Sequence, residues 1–123
     1  MSGRLSHEFR DRTKRFASGV IRFFVALPRE REEVRVLGRQ LLRSGTSVAA
    51  QVREAGRARS AAEFCSKLEG AAQEADESQL WLELLRDDCA IADPALEGLL
   101  AEAGELIAIF VTMVKNTKGN SGN

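Results

Sequence analysis

The stretch SAAEFCSKLEGAAQEADESQLWLELLRDDC, residues 60–89, decides the fold. It opens on Ser60-Ala61-Ala62-Glu63, a capping box in which a hydroxyl and a carboxylate each satisfy a free backbone N–H at a helix start. Phe64, Leu68, Ala71, Ala75, Ser78, Leu82, Leu85 and Cys89 then follow at steps of four and three. That spacing keeps one edge of a helix apolar for more than three heptads, as helices packed against other helices require.

The flanking sequence supplies three partners. Upstream, Leu5, Phe9, Phe16, Val20, Phe23 or Phe24, and Leu27 recur near a 3.6-residue period, predicting a helix from about Ser6 to Ala26. Pro28 ends it, because the residue before a proline avoids the helical region. A second helix, about Arg29 to Ala55, carries Val34, Leu37, Leu41, Val48, Val52 and Ala55. Gly45, Thr46 and Ser47 interrupt its pattern and read either as a close approach of another helix or as a kink. Asp93 as N-cap and Pro94 at the first helical position start a fourth helix. Its first seam is Leu96, Leu100, Ala103, Ile107, Phe110 and Val114, and its second is Leu99, Leu106 and Met113.

These elements predict an all-α, antiparallel up-down-up-down four-helix bundle. Residues 1–116 form a single domain, and the polar tail 117–123 is expected to be disordered. The double seam, together with Trp81 and Leu84 off the main seam of the third helix, is more apolar surface than one core face needs. Trp81, Leu84, Leu99, Leu106 and Met113 are therefore the expected interface of a homo-oligomer; a broad monomer core is the other reading.

The chain has 123 residues, enough for one ordinary domain, and is 44% hydrophobic and 29% charged. Eighteen Lys and Arg balance eighteen Asp and Glu, which excludes a uniformly basic nucleic-acid binder. Residues 1–60 nevertheless hold 14 basic against 6 acidic side chains, and residues 61–123 hold 4 against 12. Such a split calls for an anionic partner of the first half or for pairing between the halves.

Candidates for catalysis are few. His7 is the one histidine, and Cys65 and Cys89 are far apart and read as reduced core thiols. There is no Glu-x-x-His pair for di-iron and no phosphate-binding Gly-rich loop, and the carboxylates of Glu74-Ala75-Asp76-Glu77 splay around a helix. A non-enzymatic protein without metal or cofactor is expected. No apolar run is long enough to cross a membrane and no secretory apolar region leads the chain, so a cytoplasmic location is expected.

The basic half is more informative. Arg31, Arg35, Arg39 and Arg43 recur every four residues, and Arg53, Arg57 and Arg59 cluster before the capping box. Like charges at that spacing repel, so carboxylates or phosphates must offset them. Glu69, Asp76 and Glu83 on the third helix are one answer, within or between subunits; RNA or DNA is the other.

The run from Thr46 to Ser60, then Glu63, Phe64 and Lys67, then Glu74 to Ser78 and Trp81 to Leu85, resembles the signature of the bacterial four helix bundle protein family. That family includes proteins encoded by intervening sequences in large-subunit rRNA genes, and it is similar to accessory proteins of diversity-generating retroelements. The resemblance implies antiparallel four-helix bundles assembled as ring-shaped homopentamers, and nucleic-acid binding in the retroelement branch. The chain departs from the signature at Ala49, Gln51, Val52, Gly56 and Leu80, and retains Arg53, Glu54, Arg57, Ser60, Glu63 and Phe64. The retained residues read as a network pinning the turn between the second and third helices, or as a ligand or RNA site at that corner.

Overall fold

The structure, a computed structural model, describes residues 5–121. It contains α1 (His7–Val25), α2 (Glu32–Gly56), α3 (Ala61–Asp87) and α4 (Ala95–Ser121), and no strand among the described residues. Each helix runs antiparallel to the next. Arg43 meets Glu74 while Glu54 meets Lys67 across α2 and α3, and Cys65 meets Val114 while Arg86 meets Glu97 across α3 and α4. Arg12 against Glu102 and Phe9 against Phe110 close α1 on α4, the least extensive of the four seams. This is an up-down-up-down four-helix bundle.

The helix starts follow from their caps. Ser6 Oγ accepts from the Phe9 amide at 3.0 Å, and Asp93 Oδ1 accepts from the Ala95 amide at 2.9 Å. Ser60 Oγ accepts from the Glu63 amide at 3.0 Å, while Glu63 Oε1 reaches back to the Arg59 amide at 2.7 Å, one residue before the cap. The α3 C-terminus closes differently. The Ile91 amide donates to Leu85 O at 3.0 Å across Ala90, whose φ of 57° puts it in the left-handed region usually held by glycine.

The interior is a continuous apolar cluster with Phe23, Phe64, Phe110, Leu41, Leu68, Leu82, Leu85 and Leu106 fully enclosed. The Phe9 and Phe110 rings meet edge to face at 5.7 Å. Gly45 settles the choice between close approach and kink. α2 is continuous there, and a methyl group on Gly45 would lie 2.8 Å from Val20 Cγ2 of α1. A hydroxyl pair crosses the core: the side chains of Ser44 and Ser78 lie 2.8 Å apart, linking α2 to α3.

Two expectations change. Leu99 and Leu106 are buried in the bundle, at 8% and 0% exposure, and are core residues rather than interface. The partly uncovered edge of α4 carries Leu100, Ile107 and Val111 instead, because the helix turns its Leu99 side toward α1. Trp81, Leu84 and Met113 are half-buried, and the indole Nε1–H of Trp81 is buried with no acceptor among the described residues. The tail also differs. α4 continues through Ser121, so residues 117–121 are helical, while residues 122 and 123 lie outside the described residues. Helical hydrogen bonds need no apolar side chain to continue, and Lys118 reaches Glu69 at 3.2 Å on the way.

Candidate functional site

Side-chain charge is the feature that distinguishes the surfaces of this bundle. Ion pairs stitch the seams. Arg12 of α1 grips Glu102 with two nitrogens at 2.7 and 2.9 Å and Glu105 at 2.8 Å on α4, which secures its positive charge further. Arg43 of α2 reaches Glu77 at 2.7 Å and Glu74 at 3.3 Å on α3. Lys67 bonds Glu54 at 2.7 Å, which raises the lysine above its ordinary range.

Placement of the basic residues divides the expected stripe. Arg31 turns inward, donating to Cys89 O at 2.9 Å and pairing with Glu33 at 2.9 Å, so it ties α2 to the end of α3. Arg43 is taken by Glu74 and Glu77, not by the expected Glu69, Asp76 and Glu83. The physical reason is helix phase. The α3 edge beside α2 is the one that carries Ser78, Glu74, Glu77 and Lys67, which leaves Asp76 and Glu83 facing outward. Glu69 is taken by Lys118 of α4.

The remaining arginines stay open. Arg39, Arg53 and Arg57 are exposed and have no ion pair among the described residues; Arg35 is exposed and bonds only the Arg29 carbonyl at 3.3 Å. Arg10 and Lys14 of α1 are likewise exposed and unpaired, and the stem of Arg10 lies 4.0 Å from the position a methyl would take on Gly56. Arg10, Arg53 and Arg57 therefore gather at one corner, where α1 begins and α2 ends. On α3, Asp76 and Glu83 are exposed and unpaired among the described residues, with Leu80, 46% exposed, between them. A neutral chain thus presents a basic corner and a separate acidic strip.

The signature residues at the α2–α3 turn separate into two groups. Ser60 and Glu63 form the cap, Phe64 is core, and Glu54 takes Lys67. Arg53 and Arg57 stand outside that network, on the surface, as does the side chain of Arg59. Gln51 lies over Gly70, where a methyl would come within 3.1 Å of its amide carbon, so its long side chain fits because α3 has none there.

His7 is exposed and sits 3.5 Å from Asp11, and both cysteines are buried thiols. No group of three or more His, Cys, Asp or Glu among the described residues is placed to hold a metal ion. A groove of about 630 Å³ runs between α1 and α4, with Phe16, Phe23 and Leu99 in its floor and Arg15 and Arg22 on its rim. No helix among the described residues is long and apolar enough to cross a membrane.

Comparison with known proteins agrees with the geometry. Residues 6–112 match the family model of the 23S rRNA-intervening sequence protein. A solved structure from Bacteroides thetaiotaomicron, a protein of unknown function from the S23 ribosomal protein family, is 33% identical. It superposes with a TM-score of 0.78 over 86% of this chain and 97% of its own. No functionally curated protein matches. The chain belongs to the 23S rRNA-intervening sequence protein family.

Proposed function

We propose that this protein is a non-catalytic, self-assembling scaffold or adaptor whose copies join head to tail in the cytoplasm. The observation that carries the reading is the pair of unmatched faces on a neutral chain: Arg10, Arg53 and Arg57 at one corner, Asp76 and Glu83 on α3. An isologous contact pairs these patches only when both lie within one interface, whereas a heterologous one sets the basic corner of one copy on the acidic strip of the next. Heterologous contacts that close make rings, and the family resemblance points to five copies. The exposed Leu80, between the two carboxylates, gives the strip an apolar centre.

Light scattering tests this. The expected result is a discrete particle near five times 13.5 kDa at low salt that dissociates as salt rises. Reversing Arg53 and Arg57 to Glu dissociates it, and reversing Asp76 and Glu83 to Arg in the same chain restores it. A monomer at low salt overturns the proposal.

A second reading, an accessory protein that binds RNA or DNA, has one specific observation in its favour: the same guanidiniums are exposed and have no ion pair among the described residues. It predicts a log affinity for a short structured RNA that falls linearly with log salt. Its measured slope counts the phosphates neutralised; no uptake of RNA at low salt removes this reading.

A further inference from the structure

A hollow of about 310 Å³ lies where the α1–α2 hairpin turns. Its walls are Phe24, Val25, Leu27, Pro28 and Val34. Its polar side is Arg29, Arg35 and Arg39, and no carboxylate among the described residues lines it. The local sequence builds this shape. A methyl on Gly38 would lie 2.8 Å from Leu27 Cδ1 and 3.2 Å from Phe24 Cδ1, so glycine lets both side chains settle onto α2. Leu27 and Val34 are buried beneath the hollow, whereas Val25 is left 58% exposed at its wall.

The guanidiniums are arranged rather than scattered. Arg35 donates to the Arg29 carbonyl at 3.3 Å, which holds its head at the turn, and Arg39 follows one helical turn later. Neither Arg29 nor Arg39 has an ion pair among the described residues. Three cations around an apolar hollow repel one another while the hollow leaves apolar surface wet. A single ligand relieves both: an apolar body fills the space, and an anionic head sits among the guanidiniums.

We propose that this hollow binds a small apolar anion, a carboxylate or phosphate ester carried on an alkyl or aryl body. Its volume falls at the small end of the range for such sites, roughly 300–1,000 Å³. The site is separate from the basic corner: the fourteen-residue step from Arg39 to Arg53 spans about 21 Å of helix.

The test titrates the full chain with octanoate, octyl phosphate and 1-octanol, and follows the methyl resonances of Val25, Leu27 and Val34. The expected result is saturable binding of one anion per chain, about tenfold or more tighter than octanol, with the better anion identifying the head group. Arg35→Gln with Arg39→Gln brings the anions down to the octanol level and leaves octanol unchanged. Val25→Glu, at an exposed position that folding does not depend on, abolishes anion binding while helix content by circular dichroism stays at the parent's value. The proposal is overturned by no saturable shift, by octanol binding as tightly as the anions, or by shifts that follow protein concentration instead of ligand. The last outcome would mean that a second copy fills the hollow.

Discussion

Replacing Gly45 by alanine adds one methyl group at the tightest contact between α1 and α2. That methyl would lie 2.8, 2.9 and 3.1 Å from Val20 Cγ2, Cγ1 and Cβ, all three inside van der Waals contact. Val20 is fully buried and cannot swing away. Forcing an extra carbon into a packed core costs about 1–3 kcal/mol, while alanine gains about 1 kcal/mol over glycine in a helix interior. With three atoms of a fully buried side chain too close at once, the cost falls in the upper part of that range, about 2–3 kcal/mol, so the net expectation for Gly45→Ala is a loss of about 1–2 kcal/mol, or roughly 4–8 °C in a chain of this size. Gly98 on α4 gives the opposite sign, because nothing lies within 4 Å of the added methyl. Gly98→Ala is expected to gain up to about 1 kcal/mol, less if the first turn frays. Urea denaturation of the two variants measures both. Val20→Ala removes the two Cγ atoms, so the Gly45→Ala cost should shrink in that background, a coupling of about 1 kcal/mol. A Gly45→Ala protein as stable as the parent refutes the packing argument, and so does a loss at Gly98.

Two further predictions concern helix ends. Ala90→Gly relieves a left-handed alanine at the α3 C-terminus and should stabilise by about 1 kcal/mol, read as a higher urea midpoint; an unchanged or lower midpoint contradicts the cap. Asp87 is held below the usual carboxylate range by the Arg86 guanidinium, 2.7 Å away. Its folded-state value is depressed, so its contribution is complete at neutral pH and fades as pH falls through that lowered midpoint. Following the Asp87 carboxyl by NMR, Arg86→Gln should move the midpoint up toward the ordinary 3.8; no movement assigns the depression to something else.

Much of this fold is legible in the amino-acid order because helix period and caps are local. Ser60, Asp93 and the Phe64-to-Cys89 seam need no knowledge of neighbours. The α4 seams are less legible. A helix packed between α3 and α1 buries a wide arc, and periodicity alone does not say which adjacent seam is central. Leu99 and Leu106 are enclosed, while Leu100 and Ile107 sit at the edge. The Arg43 partners depend on the rotation of α3 about its axis, which selected Glu74 and Glu77 over the stripe at Asp76 and Glu83. The left-handed Ala90 carries no glycine signal. The apolar hollow beside Arg35 and Arg39 is assembled from a turn and two helices, so no single motif announces it.

The Ser44–Ser78 contact has a consequence for alignment. A seam of Leu and Ala repeating every seven residues is nearly indifferent to sliding one helix past another by a heptad. Two hydroxyls are not indifferent: displaced, each would face methyl groups, and Ser44 would keep only its 3.3 Å bond to the Leu41 carbonyl. The pair therefore works as a key, selecting one of several offsets that apolar packing would accept almost equally.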